Sequence, residues 1–159
     1  MSEERNPNRK LAMASALPEA YQQLLGMHKI VEDAATEAGI DPKLVELIKI
    51  RASQLNGCAY CLDMHSRDAR KNGEDERRLY VLSAWRETTL FTEQEEAALA
   101  LTEAMTELPQ HRDVPDEIYD RAAEVFTERQ LTVVVWLATV INTFNRFGVT
   151  GRMPLRSRA

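Results

Sequence analysis

Helix punctuation recurs along the whole chain and leaves little room for a sheet. Leu17-Pro18-Glu19 opens an amphipathic segment to about Ala38, with Pro18 at the first helical position and Gly39 as the stop. Asp41-Pro42 repeats the signal, an N-cap followed by proline, and starts a second helix to about Leu55 that Asn56-Gly57 breaks. A third runs from Cys58 to Asn72, with Gly73 placed as its C-terminal cap, and a fourth from Asp75 to about Thr88. Thr92-x-x-Glu95 is a capping box ahead of an Ala- and Leu-rich helix ending near Leu108. Val114-Pro115-Asp116 opens the next, to Phe126, and Thr127-x-x-Gln130 caps a last long helix ending near Phe147-Gly148. No stretch alternates with period two between hairpin turns, so the expected class is all-α, with about six to seven helices.

A chain of 159 residues with 44% hydrophobic side chains suits one domain with a real core. The punctuation bounds that domain at residues 17–148, with residues 1–16 and 149–159 as tails. Leu131 to Ile141 is apolar almost all the way round, so its helix is either central or buried on another subunit. So small a chain has little room to enclose such a helix, which predicts a homo-oligomer. The longest apolar run, Val133 to Ile141, is interrupted by Thr139 and is too short to span a bilayer. The N-terminal stretch MSEERNPNRK lacks a signal-peptide h-region, and the expected location is the cytoplasm. Net charge is −5. The basic residues at the ends (Arg5, Arg9, Lys10; Arg152, Arg156, Arg158) are few and lack interleaved aromatics. Neither nucleic acid nor a membrane is an expected partner.

The chemistry sits on the third helix. The only two cysteines fall as Cys58-Ala59-Tyr60-Cys61, with His65 four residues further on. A close thiol pair can cycle between dithiol and disulfide, and a nearby imidazole can carry the proton each step moves. Cys58, Cys61, Leu62, His65 and Ala69 make one stripe, while Asp63, Ser66, Arg67 and Arg70 take the solvated side. Cys58 lies at the helix start, where unpaired N–H groups and the dipole favour a thiolate. If the second and third helices fold as a hairpin about Asn56-Gly57, Glu46 and His65 each lie roughly 15 Å from the turn and face each other. A carboxylate there would orient the imidazole and help it take a proton from Cys61.

Each of these residues also has a plainer reading. Cysteine on an apolar face is often a small buried hydrophobe, and a lone helix glutamate is usually solvated. His28 and His111 have no partner by sequence and read as surface or packing residues. Tyr60 fits a pocket wall or a hydrogen-bond donor. Asn142, Asn145 and Arg146 share a late face that reads as a polar helix end rather than a pocket mouth. Haem attachment needs histidine directly after the second cysteine, where Leu62 stands. Zinc would take Cys58, Cys61 and His65 but finds no clear fourth ligand, so no metal is expected. The thioredoxin fold is disfavoured because its CxxC follows a strand.

Glu46, eleven residues, Cys58-Ala59-Tyr60-Cys61, three residues and His65, set in ELIKIRASQLNGCAYCLDMH, resembles the AhpD-like alkylhydroperoxidase branch of the carboxymuconolactone decarboxylase superfamily. The resemblance extends from about Pro18 to Phe147, with its core over residues 41–110. It implies an all-α AhpD-like domain assembling as a trimer or hexamer, and a cysteine-based peroxidase or disulfide reductase with no cofactor. By the same resemblance Cys61 reacts with the peroxide oxygen, Cys58 closes the disulfide, and Glu46 and His65 relay protons. The substrate would be a small hydroperoxide and the reductant a dithiol: a lipoyl protein, thioredoxin or small thiol. Some members place a second histidine between the cysteines, where this chain has Tyr60. The residues alone agree on which thiol is nearer His65 and leave the order of reaction open. Two other readings stand beside it: a redox-sensing or structural helical oligomer without turnover, and the non-redox chemistry of the decarboxylase branch.

Overall fold

A computed structural model describes residues 10–156; the remainder of the expected tails, with Arg5, Arg9 and Arg158, lies outside that range. Among the described residues there are nine α-helices, one 3-10 segment and no strand. They are α1 (Met13–Ala16), α2 (Pro18–Glu37), α3 (Pro42–Asn56), α4 (Ala59–Lys71), α5 (Glu76–Val81), α6 (Glu93–Thr106), α7 (Leu108–His111), α8 (Asp116–Val125) and α9 (Glu128–Thr150).

The expected helices are all present, and most of the punctuation works as read. Proline occupies the first turn of α2 and α3, and the Asp41 side chain accepts from the Lys43 N–H at 2.9 Å. Gly57 ends α3 with φ 69°, a left-handed conformation that suits glycine. Both capping boxes, at Thr92 and Thr127, are closed in both directions.

Two expected helices are shorter than their patterns suggest. The one expected over Asp75–Thr88 stops at Val81 and continues as the 3-10 segment Leu82–Glu87, with Ala84 non-helical. The tighter turn places Leu82 and Trp85, three apart, both inward. Trp85 Nε1 then donates to Glu103 Oε1 at 2.8 Å, beside the guanidinium groups of Arg51 (2.7 Å) and Arg86 (2.5 Å). The helix expected to reach Leu108 ends at Thr106, because Pro109 cannot donate into the ladder; α7 is a separate turn closed by Arg112 at φ 56°.

The last helix, α9, packs on α2, α3, α4, α6 and α8. Leu131, Val133, Val134, Leu137, Ala138, Val140 and Ile141 are buried within the chain, while Thr132, Trp136 and Thr139 face outward. The apolar run is therefore central in its own domain, the first of the two places its pattern allows, and its neighbours bury it without help from another subunit; the chain is not too small to enclose it. By length and composition the whole of α9 could cross a bilayer, whereas the apolar run Val133 to Ile141 within it is too short by itself. Beside α9, α3 is the other central helix and serves two cores at once. Leu44, Val45 and Ile48 join the one built with α2, α6, α8 and α9. Leu47 and Ile50 join the one under α4, α5 and the 3-10 segment. Any polar side chain in the middle of α3 is thereby enclosed.

Candidate active site

Gly57 turns the chain from α3 into α4, and the two helices pack as the expected hairpin. Cys58 is the N-cap of α4, and its Sγ accepts the Cys61 N–H at 3.3 Å. Cys58 and Cys61 are joined as a disulfide, and both are buried. His65, two turns into α4 and also buried, meets Glu46 of α3 across the hairpin, with Nδ1 2.9 Å from Oε2. A carboxylate can only accept, so Nδ1 carries a proton and, in the neutral ring, Nε2 keeps its lone pair. Glu46, Cys58, Cys61 and His65, named from their spacing, are thus brought together.

Three residues in this cluster escaped the sequence reading. The other Glu46 oxygen, Oε1, lies 3.4 Å from the ammonium of Lys49, one turn along α3. Lys49 is only 3% exposed. Its Nζ also donates to Glu32 Oε1 of α2 and lies 3.3 Å from His28 Nε2. His28, expected at the surface or in packing, is half-buried and stands edge-on to Phe144 at 5.6 Å between centroids. Burial, then the Lys49 charge, hold the His28 imidazole below its ordinary value of 6.5. Burial alone would push the Glu32 carboxyl up, but the hydrogen bond and charge of Lys49, with His28 and His65 behind them, bring it below 4.5. The available signals were a lysine set among apolar residues in Leu47-Ile48-Lys49-Ile50, and His28 one turn from Glu32. His111 is exposed, as expected.

Two further residues serve the site differently from their sequence reading. Asn145 is 1% exposed: its amide donates to Ser53 Oγ at 2.9 Å and accepts from Asn56 Nδ2 at 2.9 Å. Asn56 Nδ2 also donates to Asn142 Oδ1 at 2.9 Å. What reads as a polar helix end is an amide ladder fastening α9 to α3 beside the hairpin turn; Arg146 alone of the three stays exposed. Gly148, read as the helix stop, lies inside α9, where a Cβ would meet Cys58 Sγ at 2.6 Å and Cys61 Sγ at 3.6 Å. Its missing side chain is the space the sulfurs occupy.

A cavity of about 210 Å³ opens against this cluster. Leu25 and Val31 of α2 and Val140, Ile141 and Phe144 of α9 make it apolar; Cys61, His65, His28 and Lys49 give it chemistry, and Cys58 is not among its lining residues. Tyr60 is part of the wall, and its hydroxyl accepts from Arg156 Nε at 3.2 Å. The segment after α9, expected as a tail, turns back at Arg152 (φ 47°), with Met153 N–H on Gly148 O at 3.0 Å. That turn brings Met153 and Arg156 onto the cavity wall.

One group of side chains has the composition of a cation site: Glu46, His65 and Asp68 place donor atoms within 4.8 Å of one another. Its chemistry fits a metal poorly. Glu46 and His65 already bond each other, and the Lys49 ammonium beside Glu46 opposes a second cation.

Residues 14–104 match the model of the carboxymuconolactone decarboxylase family. The uncharacterised protein YdfG of Bacillus subtilis (strain 168) is 43% identical over 132 residues, covering 83% of this chain and 86% of YdfG. The uncharacterised protein YnjA of Escherichia coli (strain K12) is 28% identical over 115 residues, covering 72% of this chain and 62% of YnjA. A crystal structure from Agrobacterium tumefaciens, of a protein of unknown function named as a candidate antioxidant defence protein AhpD, superposes with a TM-score of 0.86 at 30% identity. That match covers 95% of this chain and 100% of the other. The apo debrominase Bmp8 shares the fold at a TM-score of 0.78 and 20% identity, over 90% of this chain and 74% of its own.

Proposed function

The chain belongs to the carboxymuconolactone decarboxylase family, and from that premise we propose that it is an AhpD-type thiol peroxidase, reducing small hydroperoxides through Cys58 and Cys61. One observation carries the reading: the Cys58–Cys61 pair presents Cys61 to an apolar cavity, on the same helix face as a His65 already oriented by Glu46.

In the reduced protein, His65 Nε2 accepts the Cys61 thiol proton. The thiolate attacks one peroxide oxygen; the S–O bond forms as the O–O bond breaks, and the second oxygen leaves as alkoxide and takes up a proton. Cys58 then attacks the sulfenic sulfur of Cys61, the disulfide closes and water departs. A dithiol donor returns two electrons and two protons. The Cys61 N–H on Cys58 Sγ favours negative charge there, making Cys58 the better leaving group when the donor attacks Cys61.

The reading also includes a homotrimer or homohexamer, a lipoyl protein, thioredoxin or small thiol as donor, and a cytoplasmic setting. The test is steady-state reduction of tert-butyl hydroperoxide by metal-free protein with dithiothreitol or a dihydrolipoyl donor. Turnover is expected to vanish in Cys58→Ser and Cys61→Ser and to fall about 10²-fold or more in His65→Gln. Full activity in Cys61→Ser would refute the nucleophile assignment, and a single oxidation without turnover would favour a sensor.

A further inference from the structure

We propose that His28 is a second catalytic imidazole of this site, protonating the oxygen that leaves the peroxide, with Lys49 positioning it and replacing its proton. The proposal rests on the peroxidase reading and deals with the proton that the leaving oxygen takes up, a separate transfer from the one that His65 and Glu46 assist. They act on the thiol proton, whereas the departing alkoxide, a stronger base than any side chain present, must be protonated inside an apolar cavity.

The geometry at Lys49 determines what His28 can do. A buried ammonium has three N–H donors and needs a partner for each. Glu32 Oε1 and Glu46 Oε1 (3.4 Å) take two, and the third partner is His28 Nε2 at 3.3 Å. An ammonium cannot accept, so this contact is a hydrogen bond only if Nε2 holds a lone pair, which puts the ring proton on Nδ1. Glu32 Oε1 is also 3.3 Å from Nε2, but that approach lacks hydrogen-bond geometry, whereas the Lys49 contact has it. Burial and the Lys49 charge hold the ring below its ordinary value of 6.5, which favours the neutral imidazole that such a contact requires. Among the described residues Nδ1 has no hydrogen-bond partner of its own. His28 and Lys49 both line the cavity that holds Cys61 and His65, and Phe144 fixes the ring edge-on.

The proton step balances as a relay. As the O–O bond breaks and its electron pair stays on the alkoxide, Nδ1 gives its proton to that oxygen and Lys49 gives one to Nε2. The imidazole ends neutral in its other tautomer, and Lys49 ends as an amine. Glu32, whose side chain is 41% exposed, connects Lys49 to solvent for reprotonation. The Tyr60 hydroxyl, and the imidazolium that His65 becomes on taking the thiol proton, are the rival donors on the wall.

A leaving group that needs no proton separates these roles. Single-turnover oxidation of the reduced protein would be followed with tert-butyl hydroperoxide, which expels an alkoxide, and with peracetic acid, which expels acetate. In His28→Ala, and in His28→Phe, which keeps a ring against Phe144, the ratio of the first rate constant to the second is expected to fall at least about tenfold. Added imidazole should restore part of the ratio in His28→Ala. Equal slowing with both oxidants, no slowing, or a change of ratio in Tyr60→Phe instead would overturn the proposal. If the unmodified protein reacts with neither oxidant, the peroxidase reading fails with it. If it reacts with both, only the role of His28 is at stake.

Discussion

Replacing Gly148 with alanine should act oppositely on the two redox forms. In the oxidised protein the new Cβ would lie 2.6 Å from Cys58 Sγ, against an ordinary contact of about 3.5–4.0 Å, an overlap of roughly 1 Å. Overpacking of this kind typically costs about 1–3 kcal/mol, and the sulfur is tied to Cys61 and cannot swing away. Once the bond is reduced, the Cys58 side chain is free to rotate. The substitution is then an ordinary glycine-to-alanine change within α9, favourable by up to about 1 kcal/mol. A difference of about 2 kcal/mol between the forms corresponds to a reduction potential about 40 mV more oxidising, roughly 30-fold in the exchange equilibrium. Equilibration against dithiothreitol with alkylation of free thiols measures that shift. Thermal melts of both forms should show the oxidised protein losing about 4–8 °C while the reduced one holds or gains. An unchanged potential, with equal melting shifts in the two forms, would refute the reasoning and place the constraint on the helix backbone rather than the sulfurs.

Asn145→Leu removes a buried amide that bonds Ser53 and Asn56, and should lower stability by about 1–3 kcal/mol in a urea melt; a loss below about 0.5 kcal/mol would contradict the amide ladder as a fastening. Stability should also fall with acid in two stages. His28 is held below 6.5, so under that pH the unfolded chain binds a proton that the native one does not, and stability declines until the native value is passed. Glu103, where bonds from Arg51, Arg86 and Trp85 outweigh burial, is held below 4.5; its contribution is present above 4.5 and is lost as pH falls through the native value. Urea unfolding from pH 8 to 3 measures both stages, and His28→Phe should abolish the first; if the first stage survives in that variant, His28 is not its source.

What could be read from sequence lay within single helices or across one tight turn. Caps, prolines and Gly57 act through bonds and dihedrals only a few residues apart, so the six helices of ten residues or more among the described residues follow from local chemistry. The stripe of Cys58, Cys61 and His65 follows from one helical period, and Glu46 from a hairpin whose arms run back from a single turn. Helix packing decided the rest. Lys49 and His28 are 21 positions apart, and their contact depends on how α2 crosses α3, which neither helix specifies alone. Sequence puts Asn145 on α9 and Gly148 at its end, but neither role is legible there, because an amide or an absent Cβ shows its use only when the facing atoms are known. The segment through Arg156 read as a tail for the same reason: the atoms it meets lie 96 residues away at Tyr60. Local order is set by neighbours in the chain, whereas burial, charge pairing and the shape of a cavity are set by neighbours in space.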